Sequence, residues 1–222
     1  MCDIRFKKDF TYILVGPSRS GKTVHVSKLL KHQNLLFQSG QIKNTHYFYK
    51  EWQRLFDEMN DNNYVKEWHK EIPTLDKMKE LAFPYQDKGG SLFIIDDFGQ
   101  NLNRDIAELF TVLSHHMNIS VIIQLQSLFN KNPVYREIQL STQYISIFKN
   151  NRDKSQILHF ARQFQPSNIK YVTSAYNEAT KKPYTYMLFD LTQEIADNMR
   201  MRSSILPSEA PMLSWFPPNV GI

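Results

Sequence analysis

Gly16, Pro17, Ser18, Arg19, Ser20, Gly21, Lys22 and Thr23 follow the spacing G-x-x-x-x-G-K-[ST]. A run of this kind cradles a polyphosphate. Successive backbone N–H groups converge on the anion, and the positive end of a following helix dipole adds to the attraction. In such a cradle Lys22 reaches the β- and γ-phosphates of ATP, and the Thr23 hydroxyl sits on Mg²⁺. Further along, Ser-Leu-Phe-Ile-Ile ends in Asp96, followed by Asp97. A buried strand that ends in an aspartate has the form of a Walker B segment, with Asp96 on the magnesium side. Asp97 stands where ATP hydrolases carry the carboxylate that orients water, although an acidic pair can also simply open a loop at Gly99. Gln126 follows the apolar run Ile119–Leu125, and a polar residue at that strand tip reads the γ-phosphate. Gln124 lies within the run and reads as structural.

The elements that must hold these residues are legible from periodicity. Tyr12–Val15, Ser91–Asp96, Ile119–Leu125 and Tyr144–Phe148 are continuous apolar runs, as strands buried on both faces require. Thr45–Tyr49 and Tyr184–Asp190 complete the expected strands. Helices are expected over Lys22–His32, Glu51–Met59, Leu75–Leu81, Asn103–Met117, Ser155–Phe164, Asn168–Ala179 and Thr192–Met199, with Asn130–Pro133 a loop. His115 and His116 close the Asn103–Met117 helix, where they complement its dipole. Met1–Phe10 reads as a polar lead-in. Arg200–Arg202 reads as a basic spot, and Pro207, Pro211, Pro217 and Pro218 mark an extended finish.

Together these predict an α/β P-loop NTPase of the additional-strand type. Its central sheet is mostly parallel and flanked by helices, with a short C-terminal extension. Residues 1–165 form the ATPase core, and 166–222 complete the sheet or pack on a neighbouring subunit. The 222 residues and 41% hydrophobic content suffice for a core, and no run reaches the roughly 18 apolar residues of a membrane span. Arg5, Lys7 and Lys8 are not followed by an apolar segment, which argues against secretion. The single Cys2 excludes an intramolecular disulfide and a cysteine zinc site. A net charge of +5 suits a polyanionic partner. The alternatives left by the motifs are a P-loop kinase acting on a small molecule and a nucleotide-binding assembly protein without turnover.

Val15–Thr23, Phe93–Phe98, Leu109–Gln126 and Lys149–Ile157 together resemble the FtsK/HerA-type genome-packaging ATPases, in particular the poxvirus and Polinton/adintovirus type. The likeness runs from about Phe10 to Glu209. It implies a ring, pentamer or hexamer, that hydrolyses ATP to drive double-stranded DNA into a preformed capsid within the host cell, with a capsid or portal-vertex protein as partner and no membrane. It further implies Asp96 as Walker B acid, Asp97 as water-orienting acid, Gln126 as sensor and Arg152 as the arginine reaching a neighbour's ATP. Arg104, Arg136, Arg162, Arg200 and Arg202 are further candidates. Lys131, Lys149 and Lys154 are candidates for phosphate contacts on DNA. Two positions depart from the pattern. Asp97 replaces the usual Glu, a shorter reach, and Ser114-His115 replaces an Arg-His pair.

Overall fold

A computed structural model describes residues 3–72, 74–99, 102–209 and 211–216. In chain order, β1 (Thr11–Val15) leads through the glycine-bounded loop into α1 (Lys22–Lys31), then α2 (Gln33–Leu36), β2 (Asn44–Phe48) and α3 (Arg54–Asp61). Next come β3 (Glu67–His69), α4 (Leu75–Ala82), β4 (Ser91–Asp96), α5 (Arg104–Glu108) and α6 (Ser114–His116), the last two joined by a π-helical turn over Leu109–Leu113. β5 (Ile119–Leu125), α7 (Pro133–Leu140), β6 (Tyr144–Phe148), α8 (Ser155–Phe164) and α9 (Ile169–Ala179) follow. β7 (Tyr186–Asp190), β8 (Met201–Ser203) and β9 (Leu213–Ser214) end the described chain.

One sheet has the strand order β3-β2-β4-β5-β1-β6-β7-β8-β9. Pairing is parallel from β3 through β6 and antiparallel from β6 to β9. Residues alternate between two apolar layers because successive side chains of a strand point to opposite faces. Ile13, Val15, Phe93 and Ile95 meet Ile106, Phe110, Ile138 and Phe160 on one side. Tyr12, Leu14, Leu92 and Ile94 meet Val26, Leu29, Phe56 and Met59 on the other. The strand carrying the two glutamines, β5, lies between the cradle strand β1 and the aspartate strand β4. The α/β class and the additional-strand arrangement expected from the sequence are those observed.

Four expectations need correction. Thr192–Met199 is not a helix. Asp190 Oδ1 accepts from both the backbone N–H and the hydroxyl of Thr192 at 3.1 and 2.6 Å, a local turn that competes with helix, and only Asp197–Met199 winds into a 3₁₀ turn. Pro133 starts a helix, α7, rather than ending a loop; Asn132 caps it by accepting from the Val134 N–H at 3.0 Å. Tyr184 precedes its strand in a left-handed conformation, φ 63°. Arg200–Arg202 is not a surface spot: Arg202 points inward from β8 and pairs with Asp190 at 2.6 Å, both side chains nearly inaccessible. In the lead-in, Phe6 forms a bridge with Phe37 and packs on Tyr144, while Met1, Cys2, Pro217 and Pro218 lie outside the described residues.

A nucleotide-type cleft at the carboxyl edge of the sheet

Parallel strands of an α/β sheet present ligands at their carboxyl ends. β1, β4 and β5 end side by side here. Around them lies a cleft of about 830 Å³ lined by Ser18–His25 and Lys28 of the cradle and α1, by Asp96, Asp97, Gln124 and Gln126, and by Arg54, Tyr184 and Glu209.

The cradle departs from β1 at Gly16, whose N–H donates to Leu125 O at 3.1 Å and so pins the loop to β5. A Cβ on Gly16 would lie 2.7 Å from both Phe148 Cβ and Ser20 Oγ, so only glycine fits. Gly21 caps α1 with φ 101°, a left-handed conformation that side chains rarely adopt. Lys22 curls over the loop and donates from Nζ to Gly16 O at 2.7 Å and Pro17 O at 3.1 Å. Burial lowers its pKa, and the nearby charges of Asp96 and Asp97 push back toward the ammonium form. Ser20 Oγ is buried with no hydrogen-bond partner among the described residues. A buried orphan hydroxyl beside a lysine curled over a glycine-bounded loop suits a polyphosphate.

Asp96 closes β4 in a nearly inaccessible position. Tyr47 of the neighbouring β2 donates to its Oδ2 at 2.9 Å, and Gln124 donates from Nε2 to the same phenol oxygen at 3.0 Å. Burial raises the Asp96 pKa to about 6; the Tyr47 bond, Lys22 and the Thr23 hydroxyl pull it down, while Asp97 pushes it up. Thr23 lies beside the same group, its hydroxyl 3.5 Å from Gln124 Oε1. A carboxylate and a hydroxyl converging at the mouth of a phosphate cradle are a donor set suited to a hard cation such as Mg²⁺. Asp97, one residue on, turns outward with φ 63°, a strained conformation of the kind that collects at working sites. Its Oδ1 accepts from Gln126 Nε2 at 3.4 Å.

The structure thus brings Gly16–Thr23, Asp96, Asp97 and Gln126 to one edge. Arg152 does not join them: it is exposed in the loop after β6, its N–H held by Asn150 Oδ1 at 3.0 Å. Asp153, a partner considered for it, instead binds Ser155. Arg136 and Lys131 lie elsewhere on the surface, and Lys149 Nζ is tied to Lys181 O at 2.7 Å. Gln124, read from the sequence as structural, stands in register with Asp96 and supports it through the Tyr47 hydroxyl. Two residues escaped sequence reasoning. Tyr47 and Arg54 carried no signal beyond β- and helix-forming character.

The family model described as poxvirus A32 protein matches residues 3–154. No curated protein sequence matches the chain. Among solved structures, the DNA-packaging ATPase B204 from Sulfolobus turreted icosahedral virus superposes with a TM-score of 0.53 at 16% identity, over 84% of this chain and 95% of that one. The genome packaging NTPase B204 from Sulfolobus turreted icosahedral virus 2 does so in complex with sulfate (TM-score 0.55, 15% identity) and with ATP-gammaS (0.53, 16%), each over 92% of this chain and 98% of that one. At such identities the likeness is one of fold. The family match spans the lead-in, the whole cradle, both acids and the loop bearing Arg152, and on that ground the chain belongs to the poxvirus A32 protein family, packaging ATPases of the FtsK/HerA type.

Proposed function

We propose that the chain is the subunit of a ring, pentamer or hexamer, that hydrolyses ATP to drive double-stranded viral DNA into a preformed capsid. The observation that carries this is the meeting of Asp97 with Gln126, 3.4 Å apart, at the sheet edge where Lys22 and Asp96 also end. A hydrolase needs an acid to orient water and a residue to sense the phosphate, and a simple nucleotide-binding scaffold does not.

When bound, ATP supplies the anhydride and Mg²⁺ offsets the charge on its oxygens. The backbone of Gly16–Thr23 and Lys22 hold the phosphates, and Thr23 and Asp96 hold the metal. Asp97 positions the attacking water; Gln126 steadies that carboxylate and reads the γ-phosphate. Arg152, exposed on the loop after β6, is read as the residue offered to a neighbour's cleft. Because β6 runs parallel to β1, that loop leaves the sheet at the same edge as the cradle, which supports the reading. Arg54 lines the chain's own cleft and is a cis counterpart. Exposed Lys131 and Lys154 suit sequence-blind phosphate contacts.

Residues 166–222 are read as completing the sheet of the 1–165 core, a reading supported by the β6–β7 pairing. A capsid or portal-vertex protein is the expected docking partner, at the site of virion assembly in the host cell. Among the described residues no helix is long and apolar enough to cross a membrane.

The test is phosphate release with and without double-stranded DNA across a salt series. Expected are DNA-stimulated turnover that falls steeply with salt, its loss in Lys22→Ala, and a drop of about 10³–10⁵ in Arg152→Ala without loss of assembly. Turnover indifferent to Lys22→Ala, or phosphate transfer to a nucleoside without DNA, would overturn the reading.

A further inference from the structure

On the face of β2 opposite Tyr47, three potential ligand atoms from two strands converge. His46 Nδ1 lies 3.0 Å from His69 Nε2, Glu67 Oε2 lies 3.5 Å from His46 Nδ1, and the same oxygen lies 3.8 Å from His69 Nε2. Sheet register puts them there. His46 and Glu67 are partners across the parallel β2–β3 pair, and Glu67 and His69 are two apart on β3, hence on one face.

We propose that His46, Glu67 and His69 form a binding site for a divalent transition metal of the zinc class, which clamps the edge strand β3 to β2. A tetrahedral zinc with nitrogen and oxygen ligands at about 2.0–2.2 Å sets its ligand atoms about 3.4 Å apart, and the three separations bracket that value. Within the plane of the three atoms the equidistant point lies about 2.0 Å from each, so a metal a little off that plane keeps zinc–ligand distances. Two imidazoles and a carboxylate select zinc or its neighbours over Mg²⁺, which prefers an all-oxygen shell.

The surroundings are those of a metal ligand. His46 is buried, and its other nitrogen, Nε2, lies 3.1 Å from Asn44 Oδ1. The Asn44 amide is fixed from three sides: its Nδ2 donates to Leu81 O and Ser91 Oγ, and its Oδ1 also accepts from Lys66 Nζ at 2.9 Å. That oxygen therefore faces Nε2, the proton sits on Nε2, and the Nδ1 lone pair is aimed at the cluster. Orienting a ligand imidazole through its far nitrogen is how outer-shell groups prepare metal sites. His69 is stacked on Phe48, which restricts its ring. Glu67 is half-exposed and opens the remaining position to water. The site is separate from the cleft: none of the three residues lines it.

The decisive experiment titrates Zn²⁺ into the metal-stripped full chain by calorimetry, without nucleotide and with Mg²⁺ in excess. Co²⁺, followed by its visible absorption, reports the geometry. Expected are one equivalent per chain, a tetrahedral Co²⁺ spectrum, and a zinc-dependent rise in thermal midpoint. Glu67→Gln, at an exposed position, and His69→Ala, at a partly exposed one, each weaken binding at least tenfold and abolish the rise while keeping the parent circular dichroism. Absence of saturable binding would show that the histidines are only hydrogen-bonded to each other. Binding equally tight in both variants would place the metal elsewhere, and either result overturns the site.

Discussion

Tyr47 and Asp96 meet across neighbouring strands, the phenol donating to the carboxylate at 2.9 Å while Gln124 holds the phenol oxygen from the other side at 3.0 Å. The bond stabilises the ionised acid against the burial that drives its pKa up to about 6. Tyr47→Phe keeps the ring packed on Phe56 and Trp68 but removes that donor. The acid limb of the pH profile for ATP turnover should move to higher pH by about one unit, the equivalent of one charge-assisted hydrogen bond. A limb that stays in place would show that other groups hold the carboxylate.

The charge on Asp96 is costly to the fold that carries it. Its folded pKa of about 6 exceeds the ordinary 3.8, so the folded state holds the proton more tightly and stability falls as pH rises between those values. At pH 7 the deficit is on the order of 3 kcal/mol. Asp96→Asn retains an acceptor for Tyr47 and loses the charge. Without nucleotide its thermal midpoint at pH 7 should rise by about 5–10 °C while turnover disappears. Scanning calorimetry and phosphate release on the same sample check both halves.

Acid acts in the opposite direction through His25. It is fully buried beside the Tyr12 hydroxyl, 3.0 Å from Nε2, and burial lowers its pKa from 6.5 to about 3. Below 6.5 the unfolded chain takes up a proton that the folded chain refuses. The stabilisation is therefore complete above pH 6.5 and is lost as pH falls toward 3, amounting to several kcal/mol. His46 acts in the same sense, and Asp96 partly offsets both below pH 6. Denaturant titrations from pH 7 to 4 should show falling stability, with a shallower slope in His25→Gln.

Asp190 and Arg202 form the one ion pair inaccessible on both sides among the described residues, and Arg202 Nη1 also reaches back to Ile4 O at 3.2 Å. Removing one partner strands the other charge. Asp190→Ala or Arg202→Ala should each cost about 3–5 kcal/mol, whereas Asp190→Leu combined with Arg202→Met should recover most of that loss. Urea midpoints of the three variants give the comparison.

The core of this fold was readable because its central strands are buried on both faces, which turns each into an unbroken apolar word. β3 was not readable: Glu-Trp-His is three residues long and half-exposed, with no apolar alternation to betray a strand. α7 is marked by Asn132-Pro133, a cap followed by a helix-starting proline, but Asn130–Pro133 also has the composition of a loop, and the two patterns compete. Thr192–Met199 has helical composition, yet the side chain of Asp190 and the guanidinium of Arg200, which reaches Thr192 O at 3.2 Å, claim its polar backbone groups. In the cleft, the cradle and Asp96 are fixed by local spacing. Tyr47 and Gln124 depend on which strands become neighbours, and that order is not written in any short stretch.

Among the described residues the sheet ends on both sides in very short strands, three residues in β3 and two in β9. Such margins give another chain almost no row of free amides and carbonyls on which to extend the ladder. Backbone pairing at these margins is therefore a poor route for one copy to join another. In the ring proposed above, subunits would then meet through side chains on loops and helix flanks, contacts able to slip and re-form.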